Sequence, residues 1–333
     1  MRPITNKQFQ GCIIGQCLGD ALGFPVEGQP RVVCQEYVQD VLRSEQAGSK
    51  GRPPYPFGQY TDDSQLAREL MQSYTACKGF SAKDYAKRIA ALFQEDRIVG
   101  RGRTTEQAAL RLLDGVSWDH AGTPPPAAGN GSAMRAAPVG LFFYDHPRNL
   151  ISAAYDQGRI THQDSRCCAG SAAIAGAAAL ALQHESIEPY AFLEQLSEWV
   201  EEMDETFAMF IRQMGEWVDM PPKEAAALIK RAGCGQQADT FDGVTPFVVG
   251  SVLWSLYSFL RHTNSYWNTI CLAISIGGDV DTTAAMAGAI SGAHLGLDVI
   301  PHHLAVKLND NQTWGYEELL RLAEWCYQTK QVR

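Results

Sequence analysis

Two short acidic segments contain residues whose types and spacing could bind a metal ion. Residues 61–63 read Thr-Asp-Asp, and residues 279–282 read Asp-Val-Asp-Thr. Neither segment contains cysteine or histidine, so a shared site would offer only oxygen ligands. Magnesium, manganese and calcium prefer such ligands, whereas zinc and copper favour nitrogen and sulfur. If the two segments meet in the fold, the sequence predicts a metal site with enough carboxylates for two ions.

Each acidic segment also has an ordinary structural explanation. Asp and Thr at a helix start accept hydrogen bonds from free N–H groups and interact favourably with the helix dipole. For residues 61–63 alone, this capping interpretation is favoured. Gly277 and Gly278 precede the second segment and permit close approach or unusual backbone angles. Two acid-bearing helix starts repel each other unless a cation or distance separates them, so both interpretations stay open at this point.

Three further segments carry candidate functional groups. Glu27 follows a proline in a loop, where a glutamate is either a solvated charge or, beside a metal, a general acid or base. Residues 129–135 read Gly-Asn-Gly-Ser-Ala-Met-Arg. Such a turn either exposes backbone N–H groups to a phosphate or is a plain loop before a helix. His162 is either a structural histidine or a donor to a ribose or phosphate in the same cleft.

Helices must position these residues, because period-two alternation is scarce and helical periodicity dominates the chain. Residues 5–8 predict a capping box that opens the first helix. Further helices are predicted at 62–78, 82–95, 104–114, 165–184, 189–219, 222–232, 245–262, 264–276 and 315–328. The sequence therefore predicts an all-α fold. We expect one compact domain over residues 1–333, with many helices packed orthogonally and the metal site at helix N-termini.

Two glycine stripes predict helices that approach other backbones closely. Their members recur every four residues and therefore share one helix face. Each glycine costs a helix about 1 kcal/mol relative to alanine, so a packing reason is expected. The stripes consist of Gly11, Gly15 and Gly19, and of Gly288, Gly292 and Gly296.

Composition narrows the classes of protein that fit the chain. The net charge of −9 over 333 residues argues against a nucleic-acid or membrane-surface binder, which needs a basic face. The nine cysteines form no C-x-x-C pair, and no N-terminal apolar segment follows a basic stretch. Residues 167–182 are about a turn too short to span a membrane. These features predict a reduced, cytoplasmic protein, with a monomer as the default and the adjacent Cys167 and Cys168 in the core.

The motifs, taken together and in order, resemble those of the ADP-ribosylglycohydrolase family. This family includes the dinitrogenase reductase-activating glycohydrolase and the ADP-ribosyl-acceptor hydrolases. The resemblance runs through most of the chain. It rests on G-D-A-L-G-F-P-V-E at 19–27, T-D-D-S-Q-L-A at 61–67, G-N-G-S-A-M-R at 129–135, T-H at 161–162 and G-G-D-V-D-T-T-A-A-M-A-G-A at 277–289.

The resemblance implies an all-helical globule with a binuclear centre of two Mg²⁺ or Mn²⁺ ions. The implied metal ligands are Thr61, Asp62, Asp63, Asp279, Asp281 and Thr282. Glu27 and the metal-bound Asp281 are the implied catalytic residues. The implied substrate contacts are Gly100, Gly102, Gly129, Asn130, Gly131, Ser132, Met134, Arg135 and His162.

The chain departs from the family pattern at three places. Ser64 and Val280 stand where many members have threonine. Ser64 keeps a hydroxyl, and Val280 is expected to point away from the ligands. Residues 233–247, where the family often contacts adenine, show no sharp pattern, so adenine recognition is unassigned.

The implied reaction is hydrolysis of the bond between C1″ of the distal ribose and a modified side chain, with arginine as the favoured acceptor. The expected partner is an ADP-ribosylated protein or an ADP-ribosyl small molecule. A first alternative is a non-catalytic ADP-ribose-binding or structural protein of the same fold. A second is another all-α magnesium-dependent enzyme, a phosphohydrolase or isoprenoid synthase. The chain has no His-Asp pair for the former and no third acid in a D-D-x-x-D motif for the latter.

Overall fold

Helices provide the regular secondary structure of this chain. The computed structural model describes residues 2–234 and 242–332, and within these ranges isolated β-bridges, but no β-strand, accompany the helices. The helices are α1 (Asn6–Gly23), α2 (Arg31–Tyr37), α3 (Asp62–Cys77), α4 (Ala82–Gln94), α5 (Arg103–Leu113), α6 (Ala137–Phe143), α7 (Pro147–Arg159), α8 (Ser165–Gln183), α9 (Pro189–Glu201), α10 (Glu205–Trp217), α11 (Pro222–Cys234), α12 (Val248–Arg261), α13 (Tyr266–Ile274), α14 (Val280–Leu295), α15 (His302–Ala305) and α16 (Tyr316–Gln331). The predicted all-α fold class is confirmed. Residues 235–241, part of the segment considered for adenine, lie outside the described residues.

The predicted helices are present within a few residues of their expected ends, with one exception. The prediction of a single helix over 189–219 is wrong, because α9 and α10 are separate. Asp204 caps α10 by accepting a hydrogen bond of 2.9 Å from the backbone N–H of Phe207. A capping carboxylate thus interrupts a continuous apolar pattern. Helices α2, α6, α7 and α15 were not predicted, although α7 begins at Pro147, a typical first helical residue.

The two glycine stripes lie on α1 and α14, which pack antiparallel with their backbones in contact. A Cβ atom added to Gly15 would lie 2.4 Å from the carbonyl oxygen of Gly288, and one added to Gly19 would lie 2.2 Å from that of Ala284. No side chain fits at such distances, so these positions require glycine. The predicted close approach is confirmed, and the structure adds that the two helices are each other's partners.

The alanine-rich helix α8 lies in the core. It contacts α6, α7, α9, α12 and α14. Of the helices in the described ranges, α8 is long and apolar enough to cross a membrane, because it extends beyond residues 167–182 at both ends, but 89% of its apolar window is buried inside the protein. Cys167 and Cys168 are buried on it, as predicted. A helix that is apolar on every face is typical of a protein core.

Three helices meet where α1 ends and α14 begins. α3 contacts both of them there. Gln16, on α1, ties the junction together, because its side-chain amide donates hydrogen bonds of 3.0 Å to the carbonyl oxygens of Asp63 and Met134. The hydrophobic core includes residues from Phe9 to Cys326. The organisation of residues 1–333 as one domain stays a prediction.

Candidate active site

The first acidic segment forms the N-terminus of α3. Thr61 is the N-cap residue, and its hydroxyl donates a hydrogen bond of 2.9 Å to Oδ2 of Asp63. The backbone N–H of Asp62 donates to the carbonyl oxygen of Val99 at 2.7 Å, which fixes the segment 98–102 beside the helix start. Both aspartates are buried. The helix start therefore directs two carboxylates inward instead of presenting them to solvent.

The second acidic segment forms the N-terminus of α14. Gly277 and Gly278 adopt φ values of +80° and +86°, which other residues rarely tolerate. The hydroxyl of Thr282 donates to Oδ1 of Asp279 at 3.1 Å, and its backbone N–H donates to Oδ1 of Asp281 at 2.8 Å. Thr282 thus orients both carboxylates of this segment.

The two acidic segments meet in space. Carboxylate oxygens of Asp20, Asp63 and Asp281 lie within 4.8 Å of one another, and those of Glu27, Asp279 and Asp281 form a second such group. Asp281 belongs to both groups. Asp62 lies outside these two groups of carboxylates but lines the same cleft, as does Thr282, and the Thr61 hydroxyl contacts Asp63 of the first group.

This carboxylate cluster fits hard divalent cations. Oδ1 of Asp63 is buried and has no hydrogen-bond partner among the described residues, and such an orphaned atom is costly unless something binds it. The atoms around it that could bind a metal ion are carboxylate oxygens, which suit magnesium or manganese. Two overlapping groups that share Asp281 are compatible with two adjacent ions.

Burial dominates the electrostatics of the cluster. It raises the pKa of Asp20 to about 7 and that of Asp279 to about 6. Burial, followed by the negative charges of neighbouring carboxylates, raises the pKa values of Asp62, Asp63 and Asp281 well above the ordinary Asp value. Protein groups alone therefore do not compensate this many negative charges. A cation would favour the ionised forms that bind it.

Asp20 is the residue that sequence reasoning missed. Its carboxylate accepts hydrogen bonds from the backbone N–H groups of Thr61 at 3.0 Å and Ser64 at 3.2 Å, and from the Ser64 hydroxyl at 2.7 Å. Asp20 thereby joins the end of α1 to the start of α3, and Ser64 uses the hydroxyl that it shares with threonine. A detectable signal existed, since Asp20 is a charged residue within a buried, glycine-striped helix.

The carboxylate cluster lies in a cleft of about 830 Å³. Gly100 and Gly102 form part of its wall, and a Cβ atom on Gly100 would lie 3.0 Å from Oδ1 of Asp62. The predicted contacts that line this cleft are Gly100, Gly102, Gly129, Asn130, Gly131, Met134 and His162. Pro246 also lines it, from the segment before α12.

The glycine-rich loop connects the cleft to the acidic cluster. Asn130 donates hydrogen bonds from its side-chain amide to Oδ2 of Asp279 and, at 3.0 Å, to the Ser251 hydroxyl. A Cβ atom on Gly131 would lie 2.8 Å from Cε1 of His162, so this loop approaches the imidazole closely. Burial lowers the pKa of His162 to about 3, so the ring is neutral and hydrogen-bonds the Thr161 hydroxyl at 2.8 Å.

Two predicted substrate contacts lie behind this loop and do not line the cleft. The Ser132 hydroxyl donates to the carbonyl oxygen of Cys167 at 3.0 Å. The buried guanidinium of Arg135 donates to the side chain of Gln157 at 2.9 Å and to the Thr161 hydroxyl at 2.8 Å. In this arrangement both residues brace the loop from its protein side.

The mouth of the cleft is less buried than its base. Glu27 is 34% exposed and forms an ion pair with Arg52, which is 42% exposed. Phe24 and Tyr55 line the same wall, with ring centroids 6.0 Å apart. Glu27 thus belongs to the carboxylate cluster on one side and to the solvent-facing mouth on the other.

The fold and this site define a class of protein, an all-helical enzyme with a buried oxygen-ligand cluster at the base of a glycine-lined cleft. The profile of the ADP-ribosylglycohydrolase family matches residues 1–333, and the chain belongs to this family. This membership confirms the resemblance and the hydrolase class that the sequence predicted.

Individual relatives agree with this membership. ADP-ribosylhydrolase ARH3 of Homo sapiens is 30% identical over 344 residues, which cover 96% of this chain and 92% of that protein. ADP-ribosylarginine hydrolase Tri1 of Pseudomonas putida (strain GB-1) is 25% identical over 316 residues, which cover 88% and 71%, respectively. A solved structure described as an ADP-ribosylglycohydrolase-related protein complex superposes with a TM-score of 0.72 at 26% identity and covers 98% of both chains.

Proposed function

We propose that this protein releases ADP-ribose by hydrolysing the bond between C1″ of its distal ribose and an acceptor group, and that the reaction requires two Mg²⁺ or Mn²⁺ ions. The observation that carries the proposal is the pair of carboxylate groups sharing Asp281 at the base of the cleft. Several relatives are named ADP-ribosylhydrolases, which supports the same reaction.

The residues proposed to hold the metal ions are those implied by the family resemblance, together with Glu27 as a neighbour. They are Thr61, Asp62, Asp63, Asp279, Asp281 and Thr282. When bound, a divalent cation supplies positive charge that orients sugar hydroxyls and polarises water. Asp20 is proposed to act through others, because its hydrogen bonds to Thr61 and Ser64 hold the start of α3 in place.

The chain's own groups account for the remaining steps. The glycine-rich loop and the wall around Gly100 would bind the ADP-ribose diphosphate and ribose, because both line the cleft with glycines, which have no side chain to cover the backbone. Cleavage of the glycosidic bond passes through an oxocarbenium-like state, which nearby carboxylates stabilise. Glu27 is proposed to transfer a proton at the cleft mouth, with support from the closeness of its carboxylate to that of Asp281.

The acceptor is a side chain of an ADP-ribosylated protein or part of a small molecule. Arginine is the acceptor favoured by the family resemblance, and the Pseudomonas relative is named for that linkage, but the ARH3 relatives carry no acceptor in their names. Arginine and oxygen-linked acceptors are therefore both included in the test. A cytoplasmic location and a monomeric state are kept as proposals from the sequence.

The test measures free ADP-ribose released from arginine-linked and serine-linked ADP-ribosyl peptides, with Mg²⁺, with Mn²⁺ and with a chelator. We expect release with at least one substrate and one metal, and loss of release on chelation. The Asp279→Asn variant should be inactive. Unchanged release after chelation or in this variant would contradict the proposal. Binding of ADP-ribose without turnover of any substrate would instead favour the non-catalytic alternative.

A further inference from the structure

The wall of the cleft mouth carries a cation that the proposed function leaves unused. Arg52 lies in the segment between α2 and α3. A turn forms there, because the backbone N–H of Tyr55 donates a hydrogen bond of 2.7 Å to the carbonyl oxygen of Arg52. Its guanidinium donates to the carbonyl oxygen of Phe24 at 3.3 Å and lies 5.0 Å from the centroid of that ring. These contacts, together with the ion pair to Glu27, hold the positive charge at one place.

Arg52 differs from the other arginines that line the cleft. Arg101 forms ion pairs with Asp96 and Glu106, neither of which belongs to the carboxylate cluster. Arg103 lies in the first turn of α5 and forms no ion pair with any of the described residues. Among the ion pairs of the described residues, only that of Arg52 involves a carboxylate of the cluster.

The position of Glu27 links Arg52 to the acceptor. This step rests on the proposed function, because a group that transfers a proton at the scissile bond must come within hydrogen-bond distance of it. The departing acceptor atom would therefore lie next to Glu27, and so next to the guanidinium paired with it. Whatever the acceptor is, its first atoms must share this space with a fixed positive charge.

Acceptors of different charge would respond to Arg52 in opposite ways. An arginine linkage places a second guanidinium beside the first, and the two compete for Glu27 and repel each other. With an oxygen linkage, the C1″–O bond breaks with its electron pair on the departing oxygen. A water molecule bonds to C1″ through its oxygen and releases one proton, which Glu27 accepts and passes on to the departing oxygen. A nearby guanidinium stabilises the negative charge that develops on the departing oxygen.

We propose that Arg52 is a specificity-determining residue that disfavours cationic acceptors and favours oxygen-linked ones. This reverses the preference for arginine that the family resemblance suggested. The proposal concerns the ratio of kcat/KM for the two kinds of substrate. An ion pair that merely blocked the cleft would slow the reaction of both equally and leave this ratio unchanged.

The experiment compares kcat/KM for two peptides of the same flanking sequence, one ADP-ribosylated on serine and one on arginine. In the unmodified protein we expect the serine linkage to be preferred by about tenfold or more. Arg52→Gln should reduce this ratio by about tenfold, Arg52→Lys should preserve most of it, and Arg52→Glu should shift it further toward arginine. Because Arg52 is 42% exposed, we expect all three variants to fold, which thermal unfolding checks.

Arg101→Gln is the matched control, because it removes a positive charge from the same cleft without touching the carboxylate cluster. Its substrate ratio should stay close to that of the unmodified protein. Equal rate increases for both substrates in Arg52→Gln would mean that the ion pair of Arg52 only restricts access to the cleft. That result would overturn the proposal. So would an Arg101→Gln ratio change as large as that of Arg52→Gln. If no form of the protein releases ADP-ribose from either peptide, the proposed function itself fails.

Discussion

The middle of the α1–α14 pair and its end serve opposite purposes. In the middle, glycines bring two uncharged backbones into contact, as at Gly15 and Gly288. At the end, the same helices and their flanking loops bring Asp20, Asp279 and Asp281 together, and burial raises the pKa of each carboxyl. The first arrangement stabilises the fold, whereas the second is unfavourable until a cation binds.

This difference shows how the chain supports a costly site. Like charges that are buried together destabilise a protein, so the surrounding structure must hold them. Gly23, at the end of α1, continues the close approach, and a Cβ atom there would lie 2.5 Å from Cα of Asp281. The rigid contact between the helices therefore extends to the backbone of a proposed metal ligand.

The largest effect should come from changing the charged end alone. Asp281→Asn removes the carboxylate that both groups share, so ADP-ribose release should fall by about 10³-fold. The metal-free variant should be at least as stable as the unmodified protein, because it loses a buried like charge. Steady-state kinetics and chelated thermal unfolding measure the two effects. Asp298→Asn, at an exposed acid, is the control and should change neither.

The next effect should come from changing the uncharged middle alone. Gly15→Ala places a methyl group 2.4 Å from the carbonyl oxygen of Gly288, and we expect the free energy of unfolding to fall by about 3 kcal/mol. Gly250→Ala is the matched control. Gly250 lies within the helix α12, and a Cβ atom added to it would have its nearest neighbour at 3.8 Å. That variant should be neutral or gain up to about 1 kcal/mol. Urea unfolding measures the free energy of unfolding of both variants. Equal losses of stability would refute the claim that Gly15 is needed for the contact between the two helices.

Metal and pH should act on the charged end without altering the middle. Folded carboxyls with raised pKa values retain protons that the unfolded chain releases near 3.8, so the stability of the metal-free protein should decrease as pH rises through about 6 to 7. Mg²⁺ should therefore stabilise the protein more at pH 8 than at pH 5, and a concentration of 100 Kd at pH 8 should add about 2.7 kcal/mol to the free energy of unfolding. Urea unfolding at both pH values, with Mg²⁺ and with a chelator, measures this. A metal-free protein that became more stable from pH 5 to 8 would contradict it.

The smallest effect should come from the loop that supports the charged end. Asn130→Ala removes the amide that hydrogen-bonds Asp279 and the Ser251 hydroxyl. We expect about a tenfold loss in kcat/KM or metal affinity, because such supporting contacts orient ligands without binding the metal. Ser251→Ala is a comparison variant that keeps the Asn130–Asp279 contact and should lose less. A larger loss in Ser251→Ala would show that packing, and not the hydrogen bond to Asp279, is responsible.

Local sequence signals predicted much of this molecule. The helix starts at Asp62 and after Gly278 were predicted from residue type and backbone freedom, and the structure has both, although neither Thr61 nor Asp279 makes a side-chain capping hydrogen bond. The glycine stripes predicted close backbone approach, because spacing fixes which residues share a face. Spacing does not identify the partner, so the pairing of α1 with α14 emerged only from the fold.

The errors and omissions have physical reasons. In the sequence, Asp204 is one more polar residue in a helical pattern. The hydrogen bond that its carboxylate accepts from the backbone N–H of Phe207 shows that α10 starts there. Asp20 and Arg135 act across the fold, through partners 41 to 44 and 22 to 26 residues away, respectively. The direction in which a side chain points depends on tertiary packing. Residue type alone therefore did not show that Asp20 supports α3 or that Arg135 faces away from the cleft.

The contact between Gly11 and Gly292 also has a consequence for protein synthesis. The ribosome makes α1 first, but the surface that α1 requires emerges only after most of the chain has been translated. At about 5–20 residues per second, the first helix waits on the order of ten seconds or more for α14. Its buried face is exposed during this interval. Chaperone binding to the nascent N-terminal segment should therefore end when α14 leaves the ribosome, and a circular permutant that places the two helices next to each other in sequence should fold faster.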